Sequence, residues 1–339
     1  MPSLHKPVYE LDTNEVAVLP TFNRVHKFRG EKIAFANFSA DYSATTIGDL
    51  APEHQDGNNY VEPFEYFLDY MVNELNLKFL TFDIYPVIHN EQEYGIGSGW
   101  VIKPHYYNFL DLYGRYCRDR KIPVWLTMLS VEHSCYRSNG TLYWEYPEIT
   151  EGLLRMQAMN GLAFGMKGLV YWQYGAQNNW SGNTLYKSAL YDTNKKTTTP
   201  AWKAAQTVNN EVLRYGAYLR NATYDSSHLV VKNSVGSYDG FELAPQTFGG
   251  IGVIKHTGDA VLISHLTADD YDYIAVVNQD YVNPQKITLV IEANSKYEQV
   301  QLYYTGFLDS ADTNGNVLAQ TVTYNLKPGG MLLFKKIQN

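Results

Sequence analysis

Cysteine is nearly absent from this chain: Cys117 and Cys135 are the only two in 339 residues. Two such thiols make no disulfide framework and supply no metal-binding spacing. Cys117 falls inside a helical pattern and reads as a small core residue. Positive charge is also short, with 27 Lys and Arg against 35 Asp and Glu and a net charge of -8. That balance excludes the basic face that nucleic acid requires, so no nucleic-acid partner is expected. No apolar run approaches the roughly 18 residues of a membrane span. The opening Met1-Pro2-Ser3-Leu4-His5 has neither the cationic start nor the apolar block of an export signal. There is no His-Glu-x-x-His, no nucleophile elbow and no zinc-like cysteine pair. Neither a metal nor a cofactor is therefore expected.

Tyrosine is what the chain has in excess, 29 residues beside 6 Trp. Aromatic faces stack on sugar C–H surfaces while short polar side chains bind hydroxyls, so the composition suits a carbohydrate ligand. A tyrosine-rich core explains it equally well.

Residues 1–222 alternate strand and helix patterns. Lys32 to Phe38, Phe79 to Asp83, Ile122 to Leu129 and Gly168 to Tyr174 read as strands. Apolar residues spaced by three and four predict helices over Phe64–Leu75, Tyr106–Cys117, Glu148–Phe164 (entered through Pro147) and Trp202–Leu219. Repeats of this kind predict a parallel sheet with helices outside it. Four units are half of a (β/α)₈ barrel, with open strand edges expected at Ile33 and Val170. From Thr223 to Asn339 short runs alternate with period two and are separated by turn residues, as at Thr257-Gly258-Asp259, Asn283-Pro284 and Pro328-Gly329. That pattern predicts an accessory antiparallel β-sandwich of about eight strands. The fold class is thus α/β plus all-β, the C-terminal half of a TIM barrel followed by a β-sandwich.

Strand ends hold the candidate chemistry. Phe79-Leu-Thr-Phe-Asp83-Ile-Tyr85-Pro86 is an apolar run closing on an acid and a phenol, as at the mouth of a barrel. Asp83 is the leading catalytic carboxylate; alternatively it ties down a loop by accepting backbone N–H bonds. Tyr85 either donates to a carboxylate or sugar, or packs on Pro86. Glu132 and His133 follow a strand directly and read as acid and orienter, as hydroxyl ligands, or as a solvated loop pair. Trp172 and Gln173 end the last parallel strand, where a Trp floors a sugar subsite or packs in a layer. Asn37 ends the first strand and could bind a hydroxyl. Glu145 and Glu148 precede a helix and read as partners of its dipole. Gly95-Ile-Gly97-Ser-Gly99 lacks the context of a nucleotide loop, and Asn314-Gly315 is a hairpin signal.

The chain resembles the retaining barrel glycoside hydrolases of the β-galactosidase-like clan, and more closely gut-bacterial relatives in which a β-sandwich follows the barrel. The resemblance is carried by Phe82-Asp83-Ile-Tyr85-Pro86, by Pro123-Val-Trp125 leading to Glu132-His133, and by Gly161-Leu-Ala-Phe-Gly165 with Gly168-Leu-Val-Tyr-Trp172. Thr199-Pro200-Ala-Trp202 and Leu326-Lys-Pro328-Gly329-Gly330 continue it. It implies hydrolysis of oligosaccharides or polysaccharides by carboxylate acid/base chemistry; by their strand-end positions Asp83 and Glu132 are the candidate catalysts and Asn37, Tyr85, His133, Trp172 and Gln173 the candidate sugar contacts. It also implies an extracytoplasmic home. Two departures stand out. Relatives place their acid/base glutamate just before a Pro-Ser, and here Met1-Pro2-Ser3 opens the chain, so the first half of the barrel is expected to be encoded upstream. The register of Pro123 to Met128 puts Met128 where the clan's nucleophile stands. The alternative is a non-catalytic carbohydrate-binding or structural fragment.

Overall fold

The structure is a computed structural model that describes residues 37–39, 65, 68–69, 72–73, 77–90, 99–103, 105–176, 179–231, 249–268, 271–292, 296–300, 305–309 and 320–336. Residues 32–36, with the edge expected at Ile33, lie outside these. So do Gly95-Ile-Gly97, Asn314-Gly315 and much of the helix expected over Phe64–Leu75.

The first part of the chain contains β1 (Asn37–Ser39), β2 (Leu80–Asp83), β3 (Val87–Ile88), β4 (Val101–Ile102), β5 (Val124–Leu129), β6 (His133–Tyr136), β7 (Leu142–Tyr146), β8 (Gly168–Trp172), β9 (Asn179–Ser181), β10 (Thr184–Tyr186), β11 (Tyr191–Asp192) and β12 (Thr197–Thr198). Its helices are α1 (Tyr106–Arg120), α2 (Glu151–Ala163) and α3 (Pro200–Leu219). Strands β1-β2-β5-β8 form a four-stranded parallel sheet in chain order. Among the described residues this sheet does not close into a barrel, and β8 is its edge strand, as expected for Val170.

Local chemistry accounts for the helix limits. Helix α2 starts at Glu151 rather than through Pro147, because the Thr150 side chain accepts from the Leu153 N–H at 3.2 Å and caps it. Glu145 is accordingly no helix-dipole partner. Leu142-Tyr-Trp-Glu-Tyr146 is rich in aromatic residues that favour strands and forms β7. Helix α3 opens on Pro200 as its first residue.

The rest of the chain is antiparallel: β13 (Thr223–Val231), β14 (Ile251–His256), β15 (Ala260–Ala268), β16 (Tyr271–Asn278), β17 (Gln285–Ile291), β18 (Lys296–Val300), β19 (Thr305–Asp309), β20 (Gln320–Leu326) and β21 (Met331–Lys336). These make a six-stranded sheet, β13-β15-β16-β21-β18-β19, and a three-stranded sheet, β14-β17-β20. Ile251, Ile287 and Leu289 of the smaller sheet share one apolar cluster with Ile263, Val276 and Phe334 of the larger.

A second cluster is continuous from the parallel sheet through the helices into the six-stranded sheet. It joins Phe82 and Leu126 to Tyr113, Leu154 and Met159, and these to Leu262, Ala275 and Leu333. Helix α2 runs through this layer with every residue from Gly152 to Ala163 buried. Glycine permits the approach at its start. A Cβ on Gly152 would lie 2.1 Å from the Tyr281 carbonyl oxygen, and one on Gly329 (φ +65°) would lie 2.4 Å from the Met156 nitrogen. Arg155, fully within this layer, donates Nε to Glu211 Oε2 at 2.7 Å and NH1 to the Pro328 carbonyl at 3.1 Å, and also pairs with Glu151.

Candidate functional site

The two faces of the parallel sheet differ. On one, Phe82 stacks on Tyr113 of α1 with ring centroids 3.7 Å apart, Leu126 and Leu169 crowd Gly161 of α2, and Tyr171 donates to Asn209 of α3 at 2.7 Å. This is the helix side. Side chains alternate along a strand and residues in register share a face. The opposite face therefore carries two rows, Asn37-Thr81-Trp125-Gly168 and Asp83-Thr127-Val170, with Trp172 beyond them paired to Leu129.

That second face is polar at its centre and aromatic at its flank. Asn37 Nδ2 donates to Asp83 Oδ1 at 2.5 Å, while Asn37 Oδ1 accepts from Thr81 at 2.7 Å and from Thr127 at 3.0 Å. Strands β1 and β5 are separated by β2, a backbone gap of roughly 10 Å. A bond across that gap between Asn37 and Thr127 means that the sheet curves toward this face. Trp125 and Trp172 are 40% and 44% exposed on it. Gly168 makes room for the indole of Trp125, since a Cβ there would stand 2.5 Å from it. The peptide between Trp172 and Gln173 is cis, and the Gln173 carbonyl accepts from Ser130 Oγ at 3.2 Å.

Beyond the C-terminal ends of the strands stands an antiparallel sheet of four, β7-β6-β10-β9. His133 enters it directly after Glu132, whose backbone bonds to Ser188 and Lys187, so the two do not form a solvated loop pair. His133 heads β6, is buried, and donates Nδ1–H to the Val131 carbonyl at 2.9 Å. Tyr186 stacks on its ring at 5.1 Å, and Tyr146, Trp144 and Tyr85 close the remaining sides. Burial, helped by the nearby Lys103 ammonium, pulls the imidazole down to about 4, against the smaller opposing pull of the Val131 carbonyl. It is neutral at neutral pH. Tyr85 is buried edge-on to Tyr146 and belongs to the same aromatic cluster. Glu132 is bound to Lys187 Nζ at 2.6 Å, and that bond holds the Lys187 ammonium above its ordinary range. Glu145 takes His89 Nδ1 at 3.1 Å.

Asn37 and Asp83 are thus brought together on one face with Trp172, whereas His133 and Tyr85 belong to a packed cluster at the rim. Trp125 was absent from the expected site. Its signal in the sequence is a large aromatic inside an apolar strand, aligned with a glycine one strand away. The rim sheet had signals too: Asn139-Gly140 and Gly182-Asn183 are turn pairs, and Gly140 (φ +80°) and Gly182 (φ +57°) take the left-handed conformation. Among the described residues no cluster of His, Cys, Asp and Glu is arranged to hold a metal, and no helix is long and apolar enough to cross a membrane.

No family model and no curated protein matches the chain significantly. Its solved structural neighbours are glycoside hydrolases of several families. A GH42 β-galactosidase from G. stearothermophilus is 9% identical, with 96% of this chain and 67% of that one covered and a TM-score of 0.49. A GH30 endoxylanase from Clostridium papyrosolvens is 11% identical, with 95% and 71% covered and a TM-score of 0.33. A maltogenic α-amylase from Thermotoga neapolitana is 10% identical, with 95% and 81% covered and a TM-score of 0.31.

Proposed function

We propose that the protein is glycoside-hydrolase-like and that its saccharide site is the helix-free face of β1-β2-β5-β8 at the strands' C-terminal ends. On this reading residues 1–222 are half of a (β/α)₈ barrel and residues 223–339 an accessory β-sandwich. The observation that carries it is the pairing of Asp83 with exposed Trp172 on one concave face. Asp83 aligns with Val170 across two strand spacings, roughly 10 Å, and Trp172 lies two residues farther along. A carboxylate beside an aromatic platform is what sugar recognition uses. Carboxylate-catalysed hydrolysis needs two such groups flanking the scissile bond and no cofactor. Asp83 is the first. Glu132, three residues past β5, is the second, and its bond to Lys187 has to open before it can move a proton.

The second reading is a carbohydrate-binding protein without turnover. The Glu132–Lys187 ion pair and the enclosure of His133 favour it, because both remove groups from proton transfer. Assay on a panel of aryl glycosides separates the two. Turnover abolished by Asp83→Asn and by Glu132→Gln is expected for a hydrolase. Oligosaccharide binding without turnover supports the second reading, and neither binding nor turnover sinks both.

A further inference from the structure

The carboxylate of Asp83 accepts hydrogen bonds, so the Asn37 atom facing it at 2.5 Å is the NH₂ group. The amide oxygen then faces the threonines, whose hydroxyls must be the donors. Thr81 at 2.7 Å and Thr127 at 3.0 Å fill both lone pairs of that oxygen. A sugar hydroxyl approaching Asn37 would find its oxygen saturated and one of its two N–H bonds already given to Asp83. The three partners come from β2 and β5, so three bonds from two neighbouring strands fix the amide in orientation and in position.

We infer that Asn37 is a positioning residue that orients the Asp83 carboxylate toward substrate, held in turn by the Thr81 and Thr127 hydroxyls, and that its amide oxygen is closed to sugar hydroxyls. This rests on the reading of Asp83 as a catalytic group. The arrangement spans three strands, which explains why a polar cluster occupies the middle of a sheet whose other face is apolar. Each member has a stated task. The threonines fix which end of the amide points at Asp83, and the amide fixes the carboxylate's torsion. Thr127 also lies in register with Asp83, so the support reaches the carboxylate from the adjacent strand as well as from β1.

Two readouts test this, one of them independent of activity. With aspartate labelled at its carboxyl carbon and the Asp83 resonance assigned through Asp83→Asn, NMR titration follows Asp83 alone. Asn37→Ala is expected to move its midpoint upward, because an N–H donor that favours the ionised form is gone. The isosteric Thr127→Val moves it in the same direction by less, and Thr127→Ser, which keeps the hydroxyl, restores it. Thr127→Val changes shape least and keeps the test open should Asn37→Ala fold poorly. In turnover of an aryl glycoside, Asn37→Ala lowers kcat about tenfold or more with KM little changed, as misorientation of a reacting group does. An unmoved titration in Asn37→Ala and Thr127→Val, or a raised KM at unchanged kcat, overturns the inference. Full turnover by Asp83→Asn overturns the catalytic reading instead, and the titration still decides whether Asn37 holds Asp83.

Discussion

The side-chain amides of Asn160 and Gln279 hydrogen-bond to each other twice, Asn160 Nδ2 to Gln279 Oε1 at 3.0 Å and Gln279 Nε2 to Asn160 Oδ1 at 2.9 Å. Asn160 lies on α2 and Gln279 just past β16, so the pair ties the helical layer to the six-stranded sheet. Tyr107 adds a third bond, donating to the same Gln279 oxygen at 2.9 Å.

Removing either amide breaks both bonds of the pair, although Gln279 keeps Tyr107 and the Val277 carbonyl and Asn160 keeps Tyr106. Asn160→Ala and Gln279→Ala are each expected to cost about 1–3 kcal/mol in urea unfolding. The double variant is expected to cost clearly less than the sum, because both single substitutions break the same pair of bonds. Additive losses would mean that the two amides do not depend on one another.

Arg155 holds Glu211 with two bonds, Nε at 2.7 Å and NH2 at 3.1 Å, and Glu211 is nearly as buried as the arginine. Arg155→Met strands that carboxylate and is expected to destabilise by about 3–5 kcal/mol. Arg155→Met combined with Glu211→Leu is expected to recover most of the loss. The check is the midpoint of chemical unfolding for the three variants.

His133 predicts a pH dependence. Its folded pKa of about 4 lies below the ordinary 6.5 of the unfolded chain. Below pH 6.5 the unfolded state therefore binds the extra proton. This contribution to stability is complete above pH 6.5 and is lost as pH falls toward 4, on the order of 3 kcal/mol in all. The slope of unfolding free energy against pH between 4 and 6.5 is expected to be shallower in His133→Phe than in the parent. Equal slopes would show that the imidazole takes up a proton within the native fold.

Trp172 separates function from folding. Its indole is nearly half exposed, so Trp172→Ala is expected to shift the thermal midpoint by no more than a few degrees. Loss of stacking on a sugar ring is expected to weaken oligosaccharide affinity about tenfold, read by calorimetry. Unchanged affinity would remove the aromatic platform from the site.

Strands β2, β5 and β8 were legible as short apolar runs, and Asp83 was legible because it closes one of them with an acid. Helices α1 and α3 followed from apolar spacing, and α2, expected from Glu148, starts at Glu151 under its Thr150 cap. Beyond its two turn pairs the rim sheet was not legible, because His133–Tyr136 and Leu142–Tyr146 mix polar and aromatic residues with no clean alternation. Their strand character comes from packing on one another: His133 between Tyr186 and Tyr146 is a tertiary fact. The environment of His133 was missed for that reason, and a buried histidine looks like an exposed one in sequence. The position of Asn37 was visible, but its bond to Asp83 depends on curvature that brings β1 near β5, which no single strand encodes.

Helix α2 has no face turned to water, and the strands that cover its second side come after it in the chain. During synthesis this helix must wait for residues from Thr223 onward to leave the ribosome, and in that interval it is an oily rod with one flank bare. Expression of the chain should accordingly depend on chaperone supply. Cutting it between α3 and β13 should yield two insoluble pieces rather than two independent folds.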